Sequence, residues 1–244
     1  MKITFAGTSH GVPAADRFCS CYVIESNGKL YMVDAGAPAT EMILRHGGEV
    51  KDFRALFTTH VHGDHTLGMI SLVNLLNWYY KDCSADIFVT EQAHIDSTLR
   101  WIETARSGHF DSNRIRMKVP EAGVVYEDEN IKVEYIPNKH LPDGPAYSIL
   151  ITEGDTRVLF GGDFSGWLKG CDIPAVIKEE LDLFVCEMAH FGLPEIAPYL
   201  EDCHVKKLAF THVYPLEKYE VIEGMKGNYP FEIITPKDDD VVEV

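Results

Sequence analysis

The feature that most constrains this chain is the run His60-Val61-His62-Gly63-Asp64-His65, which stands between an apolar stretch and a helical pattern. Ala55–Thr59 predicts a strand that leads into the run, and Thr66–Trp78 predicts a helix that follows it. Side chains two apart on a strand point to the same side, so the first two histidines should face one way. The glycine permits a turn, which brings the aspartate and the last histidine to the start of the helix. Four groups of this kind could face two adjacent metal ions, because imidazole and carboxylate bind zinc, manganese and iron.

Three further candidate ligands follow predicted strands later in the chain. They are His140, which comes after Ile131–Ile136, Asp163, which comes after the strand around Val158–Gly161, and His212, which follows Leu208–Thr211. A lone histidine at the end of a strand is more often structural than a ligand. Three such residues downstream of the first run change that balance, and together they predict that several strand ends converge on one metal site.

The order of the predicted elements indicates two layers of strands. A β-rich part with helices after it is followed by a second β-rich part with helices of its own. Two sheets packed face to face, with the helices outside, would bury this pattern. The length of 244 residues is typical of one large domain, so we expect a single domain over 1–244. The remaining predicted strands are Lys2–Ala6, Cys19–Glu25, Leu30–Asp34, Ala146–Ile151 and Leu183–Cys186, and the remaining predicted helices are Gln92–Ala105, Pro174–Glu180 and Pro194–Glu201.

With these residues in place, the chain resembles the metallo-β-lactamase superfamily. The resemblance is carried by the His60–His65 run, by Asp34 in Val33-Asp34-Ala35-Gly36, and by the three downstream ligands. The opening Phe5–Pro13, followed by Arg17, is similar to the ribonuclease Z-like phosphodiesterase branch. The resemblance implies an α+β fold, a four-layered αβ/βα sandwich of two mixed β-sheets with helices outside.

The resemblance also implies a metal-dependent hydrolase with a dinuclear site. Two divalent metal ions are expected, with zinc as the first expectation and manganese or iron as alternatives. Asp34 would support the ligand loop from behind. The implied ligands are His60, His62 and His140 for one metal, Asp64, His65 and His212 for the other, and Asp163 as the bridge between them.

In such a site, a metal-bridged hydroxide attacks phosphorus. Asp64 is then a candidate to position that hydroxide or to accept its proton. His190 is the candidate general acid for the leaving oxygen, with Glu187 to orient it, and the alternative for His190 is a solvated histidine at the start of a helix. His10 lies in a loop that borders the metals in relatives, where contact with substrate and packing of the loop are equal alternatives.

Charge bears on the substrate, because proteins that bind nucleic acid through its phosphates need a basic face. The net charge is −16, and no long basic arm of the kind that ribonuclease Z uses to grip tRNA is present in the sequence. The stretch Arg100–Lys118 is modestly basic, but acidic residues dilute it. We therefore expect a small phosphodiester, a cyclic nucleotide or a short oligonucleotide as substrate.

The alternatives are a tRNA 3′-end processing endoribonuclease, and a lactone, thioester or sulfate ester hydrolase of the same fold. A metal-binding module without turnover is the least favoured hypothesis, since it would not need both metals. Relatives are often dimers, which makes a homodimer a further expectation.

Compartment follows from three observations. No apolar run is long enough to span a membrane, and the N-terminus reads as a strand and not as a secretion signal. The six cysteines, Cys171 among them, form no Cys-x-x-Cys pair, so they are expected to be reduced thiols. A cytoplasmic location with no membrane partner is therefore predicted.

Overall fold

A computed structural model of the chain describes residues 1–12, 14–165 and 172–244. Within those residues the first of two mixed sheets has seven strands, in the spatial order 14-1-2-3-4-5-6. The strands from the third to the sixth run parallel to one another, and the other pairs are antiparallel. They are β1 (Lys2–Gly7), β2 (Cys21–Ser26), β3 (Lys29–Ala35), β4 (Phe53–Phe57), β5 (Ala85–Phe88), β6 (Ile115–Lys118) and β14 (Val241–Glu243).

The second sheet repeats this plan, with seven strands in the order 13-12-11-10-9-8-7. Its strands from the tenth to the thirteenth run parallel, and the seventh to the tenth form an antiparallel meander. They are β7 (Gly123–Glu127), β8 (Lys132–Asn138), β9 (Ala146–Glu153), β10 (Thr156–Phe160), β11 (Leu181–Met188), β12 (Val205–Val213) and β13 (Glu232–Ile234).

Helices cover the outer face of each sheet. Helices α1 (Ala39–Arg45), α2 (Gly63–Trp78) and α3 (Gln92–Thr104) contribute to one apolar core with the first sheet. Helices α4 (Leu193–Leu200) and α5 (Lys218–Met225) contribute to another core with the second sheet. A third core lies between the sheets and draws on both. The predicted α+β four-layered sandwich is therefore confirmed.

Each sheet is buried on both faces, and the side chains that alternate along its strands fill a different core on each face. In β3, Tyr31 and Val33 point into the core between the sheets, whereas Leu30 and Met32 belong to the core beneath the helices. Successive side chains on a strand point to opposite faces, so a strand covered on both faces must be apolar throughout. This is why the central strands read as nearly continuous apolar runs in the sequence.

Two predicted elements differ from expectation in their bounds. The strand predicted over Ala55–Thr59 lies two residues earlier, over Phe53–Phe57, and the backbone N–H of Thr59 donates to the Asp34 carboxylate and not to a neighbouring strand. The helix predicted over Pro174–Glu180 is a single 3₁₀ turn, Ala175–Lys178, which ends where Glu179 becomes extended. The predicted helix at Pro194–Glu201 is confirmed as α4.

Five cysteines lie among the described residues, and no disulfide bond joins any of them. Cys171, and Pro13 from the opening motif, lie outside the described residues. None of the helices in the described part of the chain has the length and apolar character needed to cross a membrane.

Candidate metal centre

The predicted ligands converge because the strands that carry them end at one edge of the sandwich. The run that begins at His60 follows β4, while His140 follows β8 and Asp163 follows β10. Strands β8 and β10 are each antiparallel to β9, so both point the same way. His212 lies near the end of β12, which is parallel to its neighbours in the second sheet. Carboxyl ends of strands are where α/β folds commonly place ligand sites.

Two residues of the centre lie at β-bulges. Asp34 is skipped in the pairing of β2 with β3, and His212 is skipped in the pairing of β11 with β12. Both have left-handed backbones, with φ of +53° and +49°. A bulge leaves one residue unpaired and re-aims its side chain, and such strain tends to occur at functional sites. The two bulges turn both side chains toward the centre.

Two glycines allow α2 to start close beneath β3. A Cβ on Gly36 would lie 1.8 Å from the backbone oxygen of Asp64, and a Cβ on Gly68 would lie 1.8 Å from the backbone oxygen of Ala37. No side chain fits at these distances. The first turn of α2, which carries Asp64 and His65, is therefore held directly against the loop after Asp34.

The side chains form two clusters that share one carboxylate. Each residue of a cluster offers one ligand atom, a ring nitrogen or a carboxylate oxygen, and these atoms lie within 4.8 Å of one another. Asp163 belongs to both, with its Oδ2 atom 3.9 Å from His60 Nε2 and 3.6 Å from His212 Nε2. The first cluster is His60, His62, His140 and Asp163, and the second is Asp64, His65, Asp163 and His212.

The donor atoms fit divalent metal ions. His60 Nε2 is buried and has no hydrogen-bond partner among the described residues, and the same is true of His65 Nε2 and Asp163 Oδ1. The last two atoms are 3.4 Å apart, longer than a normal hydrogen bond between nitrogen and oxygen. Buried polar atoms without partners are costly, and cations bound in the two clusters would satisfy all three. Imidazole and carboxylate donors suit zinc, manganese and iron.

Other groups orient the ligand rings from behind. Asp34 accepts hydrogen bonds from His65 Nδ1 at 2.7 Å and from Thr59 Oγ1 at 2.9 Å. Thr59 Oγ1 is also 3.0 Å from His60 Nδ1. His140 Nδ1 is 3.1 Å from the Phe164 carbonyl, to which it can donate. With Nδ1 engaged in this way, each ring presents Nε2 to the centre, an arrangement typical of metal-binding histidines.

The electrostatics favour the protonation states that metals require at His60, His62 and Asp163. His65 is different: burial would lower its pKa, but the Asp163 and Asp34 carboxylates raise it well above its ordinary value. Burial lowers the pKa of His60 well below its ordinary value, and the neighbouring His65 lowers it further. Burial and His140 lower the pKa of His62. Burial alone would raise the pKa of Asp163, but the nearby His212 and His65 outweigh it and hold that pKa well below the usual range. Neutral imidazole and ionised carboxylate are the ligand forms.

His190 stands beside the two clusters on a loop after β11. Its Nδ1 is 2.8 Å from Glu187 Oε1, and its side chain is 34% exposed. Burial would lower the pKa of His190, but the hydrogen bond and charge of Glu187 raise it. The ring centroids of His140 and His212 lie 4.8 Å and 5.8 Å away. Glu187, His190 and His212 could themselves hold a cation.

The hydrogen bonds of Glu187 favour a scaffolding role over metal binding. Besides His190, its carboxylate accepts backbone N–H bonds from Phe164 at 2.8 Å and Ala189 at 2.7 Å. A third backbone N–H, that of His190, donates to the same carboxylate at 3.0 Å. With its oxygens occupied in this way, Glu187 fixes the position of the His190 loop.

Sequence reasoning missed Lys218, which supports the same loop from α5. Its Nζ atom donates to the backbone carbonyls of Met188, Ala189 and Phe191 at 3.0, 3.0 and 2.7 Å. Contacts to carbonyl oxygens leave no residue pattern in the sequence, so no signal pointed to this lysine.

His10 lies at the rim of the centre. Its ring centroid is 6.2 Å from that of His212 and 4.0 Å from that of Tyr214. Its Nδ1 accepts the backbone N–H of Val12 at 3.1 Å. His10 therefore packs within its own loop and also lies beside the second cluster.

Known proteins resemble this chain in sequence and in fold. The family model described as "Anti-Pycsar protein Apyc1" matches residues 1–169. A ribonuclease Z from Prochlorococcus marinus (strain MIT 9303) is 25% identical over 202 residues, which cover 68% of this chain and 64% of the relative. The chain spans about half of the length of several other ribonuclease Z relatives.

Solved structures share the fold. The metallo-beta-lactamase fold protein YhfI from Bacillus subtilis has a TM-score of 0.78 at 18% identity, covering 100% of this chain and 99% of its own. A diphosphatase from the PhnP family has a TM-score of 0.71 at 20% identity, covering 100% and 96%. The predicted resemblance to the metallo-β-lactamase superfamily and its ribonuclease Z-like branch is confirmed.

Proposed function

This chain belongs to the Anti-Pycsar protein Apyc1 family, and on that premise we propose that it is a metal-dependent phosphodiesterase acting on a small phosphodiester. The observation that carries the proposal is Asp163, whose carboxylate belongs to two adjacent clusters of metal-ligand type. A carboxylate shared in this way suits a dinuclear centre, and such centres are typical of enzymes that displace oxygen at phosphorus.

Two divalent ions would be held by the clusters, with Asp163 between them and zinc as the expected metal. Bound ions of this kind polarise the phosphoryl oxygens and supply a nucleophile at neutral pH. Asp64 would position the attacking water, because hydrogen bonds from His212 and His65 outweigh burial and lower its pKa well below the usual range. It is therefore ionised and can accept a hydrogen bond from that water, but it is too weak a base to take the proton outright.

His190 would complete the reaction as the proton donor. As the bond from phosphorus to the leaving oxygen breaks, His190 Nε2 gives its proton to that oxygen, and the Nδ1 proton stays on the ring, where it donates to Glu187 Oε1. The raised pKa of His190 suits this role, since the donor must carry its proton near pH 7. We expect His190→Ala to slow diesters with poor leaving groups far more than p-nitrophenyl esters, and equal losses on both would contradict the role.

The charges favour a small substrate. The net charge is −16, and three cations of the modestly basic stretch between Arg100 and Lys118 have partners within the protein. Arg114 donates to the carbonyls of Leu76, Tyr80 and Cys83. Arg116 and Lys118 both contact Asp86. A cyclic nucleotide or a short oligonucleotide therefore suits the protein better than a long RNA backbone does.

The second candidate is a tRNA 3′-end processing endoribonuclease. The observation in its favour is the similarity to a protein called ribonuclease Z, although the chain spans 64% of that relative's length.

A cytoplasmic location and a homodimer are also part of our proposal. Cell fractionation and sedimentation of the purified protein would test them.

The deciding experiment is hydrolysis of bis(p-nitrophenyl) phosphate by protein of measured metal content, beside p-nitrophenyl sulfate, a lactone and a thioester. We expect turnover of the diester that disappears with a chelator and returns with added zinc or manganese. A pre-tRNA substrate run in parallel separates the two candidates. Turnover of the sulfate, lactone or thioester alone, or full metal loading without any turnover, would overturn the phosphodiesterase proposal.

A further inference from the structure

An aromatic surface borders the second cluster of the centre. Tyr214 is the second residue after His212, and its side chain is 51% exposed. Its ring centroid is 4.0 Å from that of His10, with the two rings tilted by 54°. His10 in turn is 6.2 Å from the ring of His212. The two rings therefore form one continuous surface beside the second cluster.

Hydrogen bonds hold this surface in place. The backbone N–H of His212 donates to the carbonyl of Thr8 at 2.9 Å, which ties the loop of His10 to the end of β12. The imidazole Nδ1 of His10 accepts the N–H of Val12, and the Ser9 hydroxyl donates to the Val12 carbonyl at 3.0 Å. A pre-formed surface binds a planar group without the entropic cost of ordering a loop.

The cations of the adjoining elements are already engaged. Arg17 donates to Thr8 Oγ1, to the Tyr219 hydroxyl and to the Pro236 carbonyl. Lys218 donates to three backbone carbonyls. Lys218 thus has a carbonyl partner for each of its three N–H groups, and Nη1 of Arg17 is engaged within the protein, which favours an interaction without charge at this rim. Stacking of a base on an aromatic ring is such an interaction, and it works without charge.

We propose that His10 and Tyr214 form a stacking platform for the nucleobase of a nucleoside phosphodiester, and that this platform makes the enzyme prefer substrates that carry a base. The inference rests on the proposed function for the identity of the substrate. Stacking tolerates every base, because each has a π-face. The platform thus selects for the presence of a base and not for its sequence.

The test measures binding and not turnover. The metal-loaded protein is titrated with a nucleoside 5′-monophosphate and with ribose 5-phosphate, which has the same phosphate and sugar but no base. We expect the nucleotide to bind about 5- to 150-fold more tightly. Tyr214→Ala should bring that ratio close to one, and Tyr214→Phe should keep it.

A matched control is Tyr79→Ala. Tyr79 is 67% exposed and follows α2, so it lies about 24 Å along the helix axis from the ligand end of that helix. This variant should keep the wild-type ratio. Metal content and thermal unfolding measured on each variant report whether Tyr214→Ala is still folded, and Tyr214→Leu provides a second truncation that retains apolar volume.

Three results separate the two proposals. A wild-type ratio near one, or a ratio that Tyr214→Ala leaves unchanged, overturns the platform. A base preference without hydrolysis of any diester supports the platform and contradicts the proposed function. Diester hydrolysis without a base preference contradicts the platform and supports the proposed function.

Discussion

Replacing Asp34 by asparagine should weaken both metal positions, although Asp34 belongs to neither cluster. Its carboxylate accepts hydrogen bonds from His65 Nδ1 and from the backbone N–H and hydroxyl of Thr59. The same hydroxyl is 3.0 Å from His60 Nδ1. One carboxylate thus orients a ligand ring in each cluster, directly for His65 and through Thr59 for His60.

The magnitude follows from what asparagine cannot do. Its amide has one acceptor oxygen in place of two, so either the His65 ring or the Thr59 N–H loses its partner. Loss of the group that orients a metal-binding histidine typically costs 10- to 100-fold in metal affinity. We expect a loss of that size, about 1.4–2.7 kcal/mol, at the position whose ligand loses its partner. A smaller loss is expected at the other position, because the Thr59 hydroxyl contacts both carboxylate oxygens.

The assay is competition with a chromophoric chelator, which gives two stepwise affinities. Thr59→Val is the matched control, because it removes only the hydroxyl that links Asp34 to His60. It should weaken one affinity and leave the other near the wild-type value. If Asp34→Asn leaves both affinities unchanged, or if Thr59→Val lowers both to the same extent, the account of one carboxylate serving two positions is wrong.

Three further predictions concern packing, acidity and the His190 loop. Helix propensity predicts that alanine stabilises both Gly68 in α2 and Gly224 in α5 by about 1 kcal/mol. Thermal unfolding should show a gain at Gly224, whose Cβ would meet nothing within 4 Å, and a loss at Gly68, whose Cβ would lie 1.8 Å from a backbone oxygen. Burial would raise the pKa of Asp86, but its basic partners on β6 lower it. Its contribution to stability is therefore complete above the ordinary carboxyl pKa of about 4 and is lost as the pH falls through the lowered value, so Asp86→Asn should flatten the acid limb of the stability curve of chelator-treated protein. Lys218→Met should slow poor leaving groups more than p-nitrophenyl esters, because the loop that carries His190 loses three hydrogen bonds.

The four candidate ligands in the His60–His65 run are predictable from sequence because their geometry is local. His60 and His62 follow an apolar strand, and Asp64 and His65 stand in the first turn of a helix, so residue spacing alone indicates their directions. Asp163 and His212 are predictable because each follows an apolar run, which marks the end of a buried strand. Their meeting at one edge then follows from strand direction.

The supporting groups are not predictable, because they act through the backbone. Nothing in the residues around Asp34 or His212 indicates a left-handed φ, which is uncommon for residues other than glycine. At these two positions the pairing of the neighbouring strands imposes it. Lys218 contacts carbonyls that every residue possesses. Tyr214 meets His10 only because the Thr8 carbonyl accepts the N–H of His212, a contact between residues far apart in sequence.

The origin of the ligands has a consequence for folding. Each cluster takes two ligands from the first sheet and two from the second: His60 and His62 with His140 and Asp163, and Asp64 and His65 with Asp163 and His212. Neither sheet alone presents a complete set for either position. Metal ions that bind there would therefore bind the assembled sandwich and not a chain in which one sheet is unfolded. Their binding free energy would then add to the stability of the packing between the sheets, because a ligand that binds only the folded state stabilises it by RT ln(1 + L/Kd), where L is the free ligand concentration.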